Sequence, residues 1–305
     1  MRTFDFLRMT RVFIPVSIAL VVISALLLIP QIRGWNLGID FTGGTEFTVD
    51  FTEHVDPGDI RRVLGGIDTG DVDLSKSRIQ DVTGAHRAVI TTQLDIRNDQ
   101  ATIDRVERAL TAAFPIVEPA ASNISRVAIS QQVSRELTQK GWQAILLAIL
   151  IILVYVSWRF RLRYAVGAIV AIIHDVVIAL GVFALFHIEI NIPSIAAFLT
   201  IIGYSLNDTI VIFDRIRENL KLDSRASIRE IINRSVTQSL SRTLNTSFTT
   251  FIPVIILFLF GGSVLRGFSV ALLIGVIVGT YSSMYVANPI LYAWSLRAKD
   301  TKKRR

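Results

Sequence analysis

Six long runs of apolar residues dominate the sequence, at about 12–30, 142–158, 164–186, 193–213, 243–260 and 268–291. A helix of about 20 apolar residues is long enough to cross a bilayer. We therefore number these runs as predicted spans 1 to 6. The pattern predicts a polytopic α-helical membrane protein with six transmembrane helices.

The stretch between spans 1 and 2 has a different pattern. Alternating apolar and polar positions predict strands at 45–51, 74–82, 86–94 and 124–129, with a turn at Thr83-Gly84. Helical spacing predicts helices at 57–67 and 99–114, and a polar helix at 130–141 that leads into span 2. The order β-α-β-β-α-β is that of the ferredoxin-like split plait, so residues 32–140 are predicted to form a ferredoxin-like α+β domain.

Basic residues are distributed unequally between the two sides of the predicted spans. Nineteen Lys and Arg residues lie on one side, and only Arg266 lies in the short loops of the other. Because basic loops remain in the cytoplasm, both termini are predicted to be cytoplasmic and the domain at 32–140 to be exported. The net charge of +7 is therefore explained by topology, and no nucleic-acid partner is expected.

This orientation divides the chain into segments. Residues 1–31 hold the N-terminus and span 1, which we expect to be an uncleaved anchor because no small-residue cleavage site follows it. Residues 141–295 hold spans 2 to 6, with a cytoplasmic segment at 214–241. Residues 296–305 form a basic tail that is expected to contact anionic membrane lipids.

The cytoplasmic segment contains the capping box Ser227-Ile228-Arg229-Glu230. An apolar face follows it, at Ile228, Ile231, Ile232 and Val236. We expect an amphipathic helix at the membrane surface. A docking site for a partner is the alternative.

A glycine-rich junction joins span 1 to the predicted domain, at residues 36–45. Gly38, Gly43 and Gly44 permit positive φ and close backbone approach, and Asp40 lies among them. One interpretation is a junction that transmits motion between membrane and domain. The other, which the glycines alone favour, is a tight turn into the first strand.

Span 4 carries a carboxylate, Asp208, inside its apolar run. An ionised group there costs about 2.5 to 3.5 kcal/mol at a helix centre, so it needs a proton or a cation. Arg242, at the start of span 5, is the candidate cation. We expect the two side chains to pair, because each begins or ends a polar stripe: Thr200, Tyr204, Ser205 and Asn207 in span 4, and Asn245, Thr246, Thr249 and Thr250 in span 5.

Two interpretations of these buried charges remain open. Asp208, Arg242 and Asp175 of span 3 could form a proton path, or the pair could be a static contact that fixes helix register. Asp175 could also be the private hydrogen-bond partner of His174, and Arg242 could extend to the headgroups. Span 6 has small residues at 271, 275, 279 and 283, which predicts close helix packing.

Catalytic chemistry has little support in the sequence. There is no cysteine, and the four histidines show no metal-ligand spacing. We expect no enzyme activity, no metal and no cofactor, with protons as the only coupling ion.

Several segments resemble the SecF family, accessory subunits of the bacterial Sec protein translocase. They are residues 35–44, 171–176, 202–219 and 241–247. The resemblance implies half of an RND-like twelve-helix bundle in the bacterial inner membrane, completed by SecD. It implies proton-driven assistance to the translocation of preproteins through SecYEG, on the outer face. It assigns the relay acid to Asp208 and the essential arginine to Arg242, with a further relay acid in SecD.

Two other functions are compatible with the same buried charges. The chain could be half of an RND-type exporter of small molecules or lipids, although such exporters have larger exported domains. It could also be a passive scaffold in which Asp208 and Arg242 are purely structural.

Overall fold

The fold was analysed in a computed structural model, which describes residues 4–67, 73–82, 86–92, 94, 100–117, 124–159, 162–223 and 225–303. The predicted turn at Thr83-Gly84 lies outside the described residues. So do Arg304 and Arg305 of the basic tail. The chain divides into two compact units, one at Leu37–Gln143 and the other comprising Met1–Asn36 and Ala144–Arg305.

The elements are numbered here in chain order. They are α1 (Phe6–Leu27), α2 (Ile39–Thr42), β1 (Gly44–Asp50), α3 (Pro57–Gly65), β2 (Arg78–Val82), β3 (Arg87–Thr92), α4 (Gln100–Ala113), β4 (Ile124–Ile129), α5 (Gln131–Arg159), α6 (Leu162–Leu185), α7 (Ile192–Leu222), α8 (Ile228–Phe260), α9 (Gly262–Ser282), a π-helical turn (Ser283–Ala287) and α10 (Asn288–Lys303).

Six helical stretches among the described residues are long and apolar enough to cross a membrane. They are α1, α5, α6, α7, α8 and the continuous stretch Leu265–Arg297. The prediction of a polytopic helical protein is confirmed. The buried part of this unit is formed mainly by α6, α7 and α9, whereas the apolar stretches of α1, α5 and α8 are largely exposed.

The smaller unit contains a four-stranded antiparallel sheet in the order β2-β3-β1-β4. Its helices and strands follow the predicted order β-α-β-β-α-β. One core joins the sheet to α3 and α4, with fully buried side chains at Phe47, Val49, Ile60, Leu64, Ile90, Ile103, Val106 and Leu110. Both amphipathic helices therefore bury their apolar stripes on this sheet.

The second predicted strand begins later than expected. Leu74–Lys76 form a 3₁₀ turn, and the strand starts only at Arg78. The Asp73 side chain caps this turn by accepting hydrogen bonds from the backbone N–H and hydroxyl of Ser75. A capping aspartate competes with strand pairing, which the alternation of residue types alone does not reveal.

The glycine-rich junction is a single helical turn, α2, followed directly by β1. Gly43 has φ 70° and Gly44 has φ 121°, so both adopt backbone conformations that other residues rarely take. A Cβ on Gly43 would also lie 3.2 Å from the Cα of Gln131. Gly38 differs from the expectation, because its φ of −75° is open to any residue. Asp40 lies in the first turn of α2.

The small residues of span 6 pack closely, as predicted. A Cβ placed on Gly275 of α9 would lie 2.2 Å from a side-chain carbon of Ile201 on α7. One placed on Gly279 would lie 3.1 Å from Ser205, also on α7. These glycines let the two helices approach each other.

We expect Gly275→Ala to destabilise the protein by about 1 to 3 kcal/mol, because the fully packed Ile201 has little room to move. Gly203→Ala is the matched control, since no atom lies within 4 Å of its added Cβ. Thermal unfolding in detergent measures both. Equal melting temperatures for the two variants would contradict this packing.

The prediction that the amphipathic helix within residues 214–241 lies at the membrane surface is wrong. The capping box at Ser227 and Glu230 is present, but the helix that it begins continues without a break to Phe260 as α8. Ile231, Ile232 and Val236 are buried in the protein core and do not face lipid. No glycine or proline lies between the amphipathic residues and span 5, so nothing ends the helix there.

Hydrogen bonds join the start of α1 to the start of α8. Asp5 caps α1 and accepts hydrogen bonds from Arg229 (2.7 Å) and from the Asn233 amide (2.8 Å). Asn233 in turn accepts a hydrogen bond from the backbone N–H of Leu7 at 3.1 Å. Partial burial raises the pKa of Asp5, but the hydrogen bonds from Asn233 and Arg229 outweigh it, so the pKa lies below its usual value.

This contact should make stability depend on pH. A lowered pKa means that the contact stabilises the fold above the ordinary aspartate value of about 4, and that the effect is lost as the pH falls through the lowered pKa. Asp5→Asn keeps the cap but loses the charge. At neutral pH we expect the free energy of unfolding of this variant to be lower than that of the wild type by less than about 1 kcal/mol, which is seen as a slightly lower melting temperature. At low pH the two melting temperatures should be equal. A difference that persists in acid would contradict this account.

Candidate functional site

Asp208 lies in the buried part of the helical unit. It is on α7, its exposed fraction is 3%, and its Oδ2 atom has no hydrogen-bond partner among the described residues. The hydroxyls of Tyr204 and Thr209, on the same helix, are also buried without a partner there. Buried polar atoms without partners are exceptional in folded proteins, so this group requires a functional or hydration explanation.

Arg242 does not form the predicted ion pair with Asp208. Within the described part of the chain, no nitrogen of Arg242 lies within 4.0 Å of a carboxylate oxygen, and the residue is exposed on α8. Its positive charge acts on the Asp208 carboxylate over a longer distance. Helix α8 instead packs through Thr243 and Ser247, and the Ser247 hydroxyl contacts that of Thr280 on α9 at 2.5 Å.

The two polar stripes that begin or end at these residues do not bury each other either. In this chain Thr200 and Asn207 are exposed on α7, and Asn245 is exposed on α8. Tyr204 and Thr246 are half-buried, and only Ser205 is fully buried. We define the polar face as six exposed residues at helical spacing on these two neighbouring helices: Thr200, Gly203, Asn207, Arg242, Asn245 and Thr249.

Asp175 belongs to a separate, fully buried cluster. Its Oδ1 atom lies 2.8 Å from Nδ1 of His174, as expected for a hydrogen-bond partner. Its Oδ2 atom accepts hydrogen bonds from Ser205 of α7 at 2.5 Å and from Ser282 of α9 at 2.8 Å. The cluster therefore joins α6, α7 and α9.

Sequence reasoning did not identify Ser282 as part of this cluster. It is the last residue of α9 and lies three residues after Gly279, so it shares the helix face that approaches α7. The nearby small residues at 279 and 283 were the only signal, because they showed that this part of span 6 approaches α7 closely.

The described residues contain no group of three or more His, Cys, Asp and Glu residues that could hold a metal ion. At Asp208 the structure offers the chemistry of a buried carboxyl group. Taking up a proton removes a charge that the protein buries at a cost, and releasing it restores that charge.

Comparison with known families gives two matches. Residues 109–297 match the family described as "Protein export membrane protein SecD/SecF, C-terminal". Residues 32–53, which include Gly43 and Gly44, match the "SecD/SecF GG Motif". The glycine-rich junction is therefore a recognised feature of the family.

Individual relatives agree over almost the whole chain. The protein translocase subunit SecF of Petrotoga mobilis is 37% identical over 306 residues, covering 99% of this chain and 100% of the relative. SecF of Desulfurispirillum indicum is 41% identical, covering 96% of this chain and 92% of the relative.

A solved structure has the same arrangement of elements. The crystal structure of SecDF from Thermus thermophilus has a TM-score of 0.84 and 35% sequence identity, covering 96% of this chain and 39% of the SecDF chain. This chain thus corresponds to about two fifths of that longer protein. By profile, sequence and structure together, the chain belongs to the SecD/SecF family of protein-export membrane proteins.

Proposed function

We propose that this chain is an accessory subunit of the Sec protein translocase. With SecD it would use the proton-motive force to assist the translocation and release of preproteins on the outer face of the membrane. The observation that carries the proposal is the carboxylate of Asp208: the residue is 3% exposed, and one carboxylate oxygen has no partner in the part of the chain that the structure describes. Ionisable residues buried in membrane helices are by default functional candidates.

The proposed coupling depends on the charge of Asp208. Protonation neutralises the carboxylate, and deprotonation leaves an anion that attracts Arg242 from its exposed position on α8. One charge that crosses a potential of 100 mV releases about 2.3 kcal/mol. That energy is comparable to the cost of burying one charge in a membrane helix, so proton binding could shift the packing of α7 and α8 between two states.

SecD is the proposed partner at the polar face. Exposed Thr, Asn and Arg side chains are costly in hydrocarbon. The hydroxyls of Thr200 and Thr249 donate to backbone carbonyls of their own helices. A second membrane subunit would cover them. In the Thermus thermophilus relative named SecDF, this chain matches only 35% of the protein, which leaves room for such a partner in the same polypeptide.

The proposal includes an orientation of the chain in the membrane. The distribution of basic residues supports a multi-pass protein of the bacterial inner membrane with both termini in the cytoplasm. The α+β unit, with the predicted boundaries 32–140, would then be an exported ferredoxin-like domain that faces the emerging preprotein beside SecYEG. Residues 141–295 would complete the membrane part, and the tail at 296–305 would contact lipid headgroups.

The experiment uses inverted vesicles that hold SecYEG and SecD, with or without this chain. Translocation of a preprotein to completion is measured after an imposed proton gradient and again after a protonophore. The proposal predicts an acceleration that requires both the chain and the gradient. An acceleration that survives the protonophore would favour a passive scaffold instead.

A further inference from the structure

We propose that His174 and Asp175 form a second proton-binding site in the helical unit, in which Nε2 of His174 accepts the proton and Asp175 is the positioning residue. The site is defined by its own hydrogen bonds. Its part in translocation rests on the proposed function, but its existence does not.

The hydrogen bonds around Asp175 favour the ionised carboxylate. Three groups contact it: Nδ1 of His174, which donates or accepts according to the tautomer, and the hydroxyls of Ser205 and Ser282. The Ser282 hydroxyl lies nearer to Asp175, at 2.8 Å, than to the carbonyl of Gly279, at 3.2 Å. An ionised carboxylate accepts hydrogen bonds at both oxygens and donates none. It accepts all three contacts when Nδ1 donates. A protonated Oδ1 would instead donate to Nδ1, and the hydrogen of His174 would then lie on Nε2, where no described residue accepts it.

An ionised Asp175 fixes the tautomer of His174. Because Oδ1 can only accept, Nδ1 must carry the hydrogen, and in the neutral imidazole Nε2 then bears a free lone pair. His174 is 5% exposed, and its Nε2 atom is buried with no partner among the described residues. His174 is thus a buried base whose orientation is fixed by Asp175.

The same arrangement of carboxylate and imidazole is familiar from hydrolases. There the aspartate orients the ring through Nδ1 and stabilises the imidazolium that forms when Nε2 takes a proton. Here the carboxylate is itself held by hydroxyls from two other helices, α7 and α9. A proton on His174 would therefore be balanced by the adjacent negative charge of Asp175.

Groups from other helices face His174 and Asp175. From α9, the ring of Tyr281 lies with its centroid 6.0 Å from that of His174. The Tyr281 hydroxyl is occupied on α1, where it donates to the carbonyl of Phe13 at 2.9 Å and contacts the Ser17 hydroxyl. From α7 the facing group is the Ser205 hydroxyl, so Asp175 is the only carboxylate in contact with His174 among the described residues.

Two features of the surrounding helices connect this site to Asp208 and to the π-helical turn. Ser205 precedes Asp208 by three residues on α7, a rise of about 4.5 Å along the helix. Ser282 is followed directly by the π-helical turn Ser283–Ala287. Single π-helical turns are frequent at functional sites, and this one lies directly beside the hydroxyl that binds Asp175.

The test is nitrogen NMR of the full-length chain in lipid nanodiscs, with ¹⁵N-labelled histidine. The chain has four histidines, and His174→Gln identifies the resonances of His174. We expect only the tautomer with hydrogen on Nδ1 at about pH 8, and conversion to imidazolium on acidification towards about pH 5. In Asp175→Asn, the tautomers should become mixed and the imidazolium fraction at the same acid pH should fall about tenfold.

Ser282→Ala is the milder companion variant, because it removes one hydroxyl from Asp175 and leaves the carboxylate in place. We expect an intermediate loss of imidazolium. If Asp175→Asn does not fold, the wild-type tautomer and Ser282→Ala still decide the question. Hydrogen on Nε2 in the wild type, or an imidazole that stays neutral throughout this acidification, would overturn the proposal whether or not the chain drives translocation.

Discussion

Asp208→Asn should abolish the gradient-dependent part of preprotein translocation while leaving the protein folded and assembled. Asparagine has nearly the same shape as aspartate and fits the same buried site, but it cannot exchange a proton at neutral pH. The measurement is the rate of preprotein completion in vesicles under an imposed gradient. We expect that rate to fall to the background seen without the chain.

Asp214→Asn is the matched control for this variant. Asp214 lies on the same helix, but it is half-buried and pairs with Arg159 at 3.5 Å and with Arg217 at 3.3 Å. Surface pairs of this kind contribute little, so the control should translocate at the wild-type rate. Gradient-driven translocation by Asp208→Asn at the rate of Asp214→Asn would rule out a coupling role for Asp208.

Gly203→Leu should prevent assembly with SecD without harming the fold of this chain. Gly203 is exposed within the polar face, and no atom lies within 4 Å of an added Cβ. A leucine is accommodated in a single membrane helix, but it would hold a partner helix away from the polar face. We expect SecD to be lost from the purified complex, while the melting temperature of the isolated chain stays unchanged.

Ile173→Phe is the control for added bulk on a membrane-exposed surface. Ile173 is 57% exposed on α6 and lies outside the polar face. SecD should remain bound to this variant. Recovery of SecD with Gly203→Leu at the same yield would show that the polar face is covered by something else.

The spans could be predicted from sequence because the apolar runs are long. The ends of the helices could not be predicted in the same way, because polar residues extend the helices beyond the apolar runs. Helix α7 continues through its charged end to Leu222, supported by an ion pair of Arg215 with Glu218 at 2.8 Å. Such pairs at a spacing of three stabilise a helix in water as well as near a membrane.

The site was only partly predictable for a related reason. Helical periodicity shows which residues share a face of a helix, but not which neighbour that face meets. The burial of Asp208 was predicted correctly from the cost of exposing it to lipid. The exposure of Arg242 was only the alternative to pairing, because the sequence does not show that α8 buries Thr243 and Ser247 instead, the latter against α9.

Proton flux across sealed vesicles that contain this chain and SecD tests the central claim most directly. The vesicles carry a pH-sensitive dye, and an imposed potential drives the protons. We expect flux in the wild type, background flux with Asp208→Asn, and wild-type flux with Asp214→Asn. Equal flux in all three would contradict the claim that the buried Asp208 carboxylate takes up and releases the coupling proton.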